Sequence, residues 1–144
     1  MQPRILLIED DAGRIEIFER WISGTEFTLV AARSGGQAMG MLRHGGHAVA
    51  GLLLDHDLSD SPMTAVDTTL STSHLLPSIR QNIPRHVPVL IHSHSLSKPV
   101  TMRRTLEAAG FSVTLARFAL LHREPGRFFA WLEAVRENWD PEGD

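Results

Sequence analysis

Four short stretches carry the groups able to do chemistry. Asp55-His56-Asp57 sets two carboxylates around an imidazole, directly after the apolar run Ala50-Gly51-Leu52-Leu53-Leu54. Glu9-Asp10-Asp11 follows Ile5-Leu6-Leu7-Ile8 in the same way. His92-Ser93-His94 follows Val87-Pro88-Val89-Leu90-Ile91, and Arg117 closes a run that begins at Ser112. Carboxylates packed together repel unless a proton is taken up or a cation is bound. A hard divalent ion such as Mg²⁺ relieves that repulsion, and it binds through one or two carboxylates while phosphate oxygens and water fill its other positions. Ser93 and Arg117 are phosphate-oxygen donors by type. A histidine near a phosphodiester can act as general acid or base, which makes His56, His92 and His94 candidates. A carboxylate such as Asp55 can be a nucleophile that forms an aspartyl phosphate.

These groups come together only if the apolar runs are neighbouring strands. Short, wholly apolar runs suit strands buried on both faces, as in a parallel sheet covered by helices. Helix patterns fall between them. Ile15, Phe18 and Ile22 form a stripe over residues 12–23, and Gly24 stops it. Phe27 to Ala31 reads as a second strand, and Ser34 to Gln37 has capping-box spacing before Ala38, Met41 and Leu42. Leu75, Leu76, Ile79 and Ile83 suggest a third helix that begins near Pro77 or is kinked there. Ser97 and Pro99 open a fourth, with Met102, Leu106 and Ala109 on its apolar face. Pro125 opens a fifth with the stripe Phe128, Leu132, Val135 and Trp139, which is core, or core plus a homodimer face. Residues 59–73 are long, polar and irregular, as functional loops often are.

Strand and helix alternate five times. That alternation predicts an α/β fold, a doubly wound five-stranded parallel sheet of order 2-1-3-4-5 with right-handed crossovers. In that order strands one and three meet at the switch point, where open α/β sheets bind ligands at their carboxyl edge. The 144 residues suit one domain, with a core over about residues 3–139 and a polar tail over 140–144. No cysteine is present, so disulfides and thiolate metal sites are excluded. A net charge of −3 gives no electrostatic case for bulk nucleic-acid binding. No signal peptide or membrane-spanning run is expected, which points to a cytoplasmic protein with no membrane partner. No G-x-G-x-x-G follows strand one, so a dinucleotide fingerprint is absent.

The residues at these strand ends resemble those of response-regulator receiver domains over nearly the whole chain. Ile5 to Asp11 resembles that family's first strand with its acidic pair, and Leu53-Leu54-Asp55 the strand that ends in the phosphoacceptor aspartate. Val87 to Ser93 resembles the fourth strand with its hydroxyl residue, and Arg117 falls where the family carries a lysine. The resemblance implies that Glu9, Asp10 and Asp55 hold Mg²⁺, with Asp57 contributing its backbone carbonyl. It implies that Asp55 accepts a phosphoryl group that Ser93 and Arg117 contact. Partners would be a histidine kinase or other phosphodonor and a protein target.

The chain departs from that pattern at several positions. The first acidic residue is Glu9 rather than Asp, Arg117 replaces the lysine without a following proline, and Thr114 stands where a switch aromatic is common. These changes resemble a receiver variant with Leu-Asp-His-Asp-Leu and His-Ser-x-Asn motifs, proposed to process cyclic phosphates. Leu54 to Leu58 and His92 to Ser95 match it, with Ser95 in place of the Asn. Three functions follow as alternatives. One is a stand-alone phosphorelay receiver, one an enzyme acting on a phosphoester or cyclic phosphate through His56, His92 or His94, and one a receiver that only binds a protein partner. The histidines leave Mn²⁺ or Zn²⁺ open beside Mg²⁺. Asp11 reads more simply as a helix cap, and His44, His47 and His122 as surface residues.

Overall fold

Five parallel strands form one sheet of order β2-β1-β3-β4-β5 in a computed structural model that describes residues 3–56, 72–93 and 100–139. The strands are β1 (Arg4–Ile8), β2 (Thr28–Ala32), β3 (Val49–Asp55), β4 (Val89–Ser93) and β5 (Val113–Arg117). The helices are α1 (Ala12–Ile22), α2 (Gly35–Gly45), α3 (Thr72–Asn82), α4 (Val100–Ala108), α5 (Phe118–Arg123) and α6 (Gly126–Asn138). The expected strand order is the observed one, and the reason is the apolar content of the runs. All seven residues of β3 are buried, which requires a central position with helices above and below.

The strands alternate their side chains between two cores. Leu6, Ile8, Leu52, Leu54, Val89 and Ile91 face α2, α3 and α4. Ile5, Leu7, Leu53 and Leu90 face α1 and α6, meeting Phe18, Phe128, Trp131 and Val135. Alternation therefore places the residues at the strand tips in advance. Asp55 follows Leu53, and His92 follows Leu90, toward the α1 side.

Local structure differs from the sequence expectations in instructive places. Ser34 caps α2 by accepting from the Gln37 N–H at 3.2 Å, but the Gln37 side chain accepts from the Arg33 N–H at 2.8 Å. The reciprocal capping-box bond thus falls one residue early. α3 runs from Thr72 through Pro77 rather than beginning near it. A six-residue helix, α5, follows β5 directly, so two helices follow β5 among the described residues instead of one. Trp139 lies beyond the end of α6, and Trp131 takes its place in the buried stripe. Asp57, Leu58, His94, Ser95, Ser97, Pro99 and most of the 59–73 loop lie outside the described residues. Among the described residues, no helix is long and apolar enough to cross a membrane.

Candidate functional site

Three strand tips meet at the carboxyl edge. The β1–β2 ladder extends one residue past β1, with the Glu9 N–H donating to the Ala32 carbonyl at 3.0 Å. The β3–β4 ladder likewise extends past β3, with the His56 N–H donating to the His92 carbonyl at 3.0 Å. These bonds hold the backbones on which Glu9, Asp55 and His92 stand. All three side chains are fully buried.

Glu9 is the hub. Its Oε2 accepts from the N–H groups of Asp10 and Asp11 at 3.1 and 3.2 Å. Its Oε1 lies 2.8 Å from His92 Nε2. Its carboxyl also shares a hydrogen bond with that of Asp55. Two buried carboxyls this close repel each other unless a proton is taken up or a cation is bound. Burial accordingly pushes Glu9 above its ordinary range, against the lowering effects of Asp55, the Asp11 backbone and the Arg14 charge.

One ligand atom from each of Glu9, Asp55 and His92 can be chosen so that all lie within 4.8 Å of one another. That spacing and the two buried carboxylates fit a divalent cation, and the donor set is two oxygens and one imidazole nitrogen. Asp10 sits half-buried beside this group without joining it. His56 follows β3 in a turn and is half-buried. Asp11 caps α1, its Oδ1 accepting from the Arg14 N–H at 2.9 Å.

Ser93 is buried at the tip of β4 and pairs in register with Arg117 at the tip of β5. By alternation both project from the face opposite His92. The Arg117 side chain is exposed. Among the described residues, the arginine at the carboxylates is Arg14, which the sequence reading passed over. Its guanidinium lies 3.7 Å from Glu9 Oε1 and 3.8 Å from Asp55 Oδ1. It stacks over the Phe118 ring at 5.4 Å, and Phe118 stacks in turn on His122. A signal for Arg14 was present in the chain. It stands four residues before Phe18, so it shares the inward face of α1 one turn above a core aromatic.

No protein-family model matches the chain, and no curated protein matches it in sequence. Solved structures do match. The chain superposes on a two-component response regulator from Clostridium difficile with a TM-score of 0.69 at 15% identity, covering 94% of this chain and 97% of that one. It superposes on the signal receiver domain of a Luxo repressor protein from Vibrio parahaemolyticus with a TM-score of 0.65 at 19% identity, covering 94% of each chain. A response regulator from Burkholderia pseudomallei, solved with a phosphorylated aspartic acid, calcium ion and citrate, matches with a TM-score of 0.60 at 13% identity over 79% of this chain and 59% of that one. Identities this low speak to the fold alone, and the fold is that of response-regulator receiver domains.

Proposed function

We propose that this chain is a receiver-fold phosphoryl module in which a divalent cation and a phosphoryl group meet at Asp55. The supporting observation is the convergence of Glu9 and Asp55, from neighbouring strands, into one buried group at the carboxyl edge of a receiver sheet. The Burkholderia protein carries its phosphoryl group on an aspartate and was solved with a calcium ion. Glu9, Asp10 and Asp55, with Asp57, are the acidic residues available to the cation. When bound, the ion would neutralise charge on the phosphoryl oxygens.

The remaining roles belong to the chain's own side chains. An Asp55 carboxylate oxygen attacks phosphorus, a new O–P bond forms, and the bond from phosphorus to the donor's leaving group breaks. With acetyl phosphate the leaving group is acetate. Arg14, held by Phe118 and partly exposed at 14%, stands on the solvent side of the carboxylates. Its fork is suited to the incoming phosphoryl oxygens. Ser93 and Arg117, which the receiver resemblance offers as further donors, stand at the β4 and β5 tips on the other face and would have to reach over the strand ends. A histidine kinase or a small acyl phosphate would serve as phosphodonor, with a protein target downstream.

The test is incubation with acetyl phosphate and Mg²⁺ or Mn²⁺. The expected result is a one-phosphoryl mass gain that is absent in Asp55→Asn. The buried His92 favours a second reading, a phosphoester-processing enzyme in which His92 or His56 moves a proton. That reading predicts metal-dependent opening of a 2′,3′-cyclic nucleotide, lost in His92→Gln, with no stable phosphoprotein.

A further inference from the structure

We propose that His92 Nε2 is a direct protein ligand of the cation, making a two-carboxylate, one-imidazole centre that favours a borderline ion such as Mn²⁺ or Zn²⁺ over Mg²⁺. This deepens the reading above and rests on its cation site, but not on phosphorylation.

The geometry starts with strand order. β3 lies between β1 and β4, so Glu9 and His92 stand on opposite sides of Asp55. Neighbouring strands are about 4.8 Å apart, and a side chain on β1 must cross two such spacings to meet one on β4. Glutamate has one methylene more than aspartate, and here its carboxylate arrives 2.8 Å from the imidazole nitrogen. Glu9 and His92 are thus two halves of one contact. Two donors bound side by side to one ion, each at about 2.1 Å, lie roughly 3 Å apart. The Glu9–His92 separation is already close to that value, and Asp55 supplies the third donor within the same group.

The surroundings fix the ring. His92 is fully buried and packs at 5.2 Å from the Phe18 ring and 6.1 Å from that of Phe118. Packed this way, the imidazole presents Nε2 to the Glu9 carboxylate. Imidazole nitrogen suits Zn²⁺ and other transition ions, whereas Mg²⁺ prefers an all-oxygen octahedron. Ligand chemistry therefore separates this centre from a carboxylate-only site.

Mn²⁺ bound to the full chain, read by pulsed electron paramagnetic resonance, should show ¹⁴N modulation from one imidazole. The signal should vanish in His92→Gln and persist in His56→Gln. Titration of the wild-type chain with Zn²⁺, followed in histidine-ring ¹⁵N spectra, should move His92 Nε2, a reading that requires no variant to fold. Mg²⁺ should displace Mn²⁺ only in large excess. Mn²⁺ bound with no nitrogen coupling would overturn the proposal while leaving the phosphoryl reading standing. Coupling that survives His92→Gln, or no Mn²⁺ binding at millimolar concentration, would also overturn it. Nitrogen coupling without any Asp55 mass gain would instead sink the phosphoryl reading and leave this one intact.

Discussion

At the scale of single residues, the site is a contest over the charge of two buried carboxyls. Arg14 supplies part of the compensation from 3.7 and 3.8 Å, and burial pushes Glu9 above its ordinary range. Removing Arg14 leaves the carboxyls short of a cation. Arg14→Ala should destabilise the metal-free chain by about 2–3 kcal/mol, since losing one partner of a largely buried pair strands the other. Chemical denaturation in the presence of a chelator measures this, and added Mn²⁺ should restore much of the loss. The pH dependence has a definite sign. Glu9 is raised above 4.5 in the folded state, so its protonated form stabilises the fold. That contribution is complete below 4.5 and is lost as pH rises through the folded value. Subtracting the stability curve of Glu9→Gln from that of the chelated wild type should leave a decline over that window. A difference curve that rises with pH would mean the charge balance around Glu9 is misassigned.

At the scale of elements, α6 packs close against β3. Gly51 has no side chain because α6 leaves it no room. A Cβ there would lie 2.9 Å from Ile5 Cδ1 and 3.0 Å from both Trp131 Cη2 and Val135 Cγ2. Gly51→Ala should therefore cost about 1–3 kcal/mol through overpacking. Mn²⁺ affinity should change little, because β3 keeps its register with β1 and β4 near Asp55. The sheet itself was legible because β1, β3 and β4 announce double-sided burial in wholly apolar runs, and each run ends in its polar residue. Elements without such a signal were not. α5 is six residues long with Leu121 as its one buried residue, too short to show a period. The third helix carries Pro77 in its middle, a residue that marks a helix start more often than an interior. For the site, strand tips could be read from alternation, and the four-residue spacing to Phe18 puts Arg14 on the inward face of α1, but not which carboxylates it meets. Side chains reaching in from a helix depend on packing angles that no local pattern encodes.

At the scale of the molecule, the site is a clasp across the middle of the sheet. Its three donors come from β1, β3 and β4, whose pairing exists only in the folded chain. A cation bound there has no comparable site in the unfolded chain, so its binding energy adds to global stability. At a hundred times its dissociation constant, an ion should raise stability by about 2.7 kcal/mol. For a chain of 144 residues this corresponds to roughly 5–15 °C in Tm. Asp55→Asn separates the two demands that the site makes on the fold. It removes one of the mutually repelling carboxyls, so the metal-free variant should melt higher than the metal-free wild type. It also removes a ligand, so the ion-induced shift should shrink to a few degrees or vanish. Thermal melts of both proteins with chelator and with Mn²⁺ give all four values. An Asp55→Asn chain that melts lower than wild type in chelator, yet shifts as far with Mn²⁺, would show that Asp55 neither strains the fold nor holds the ion.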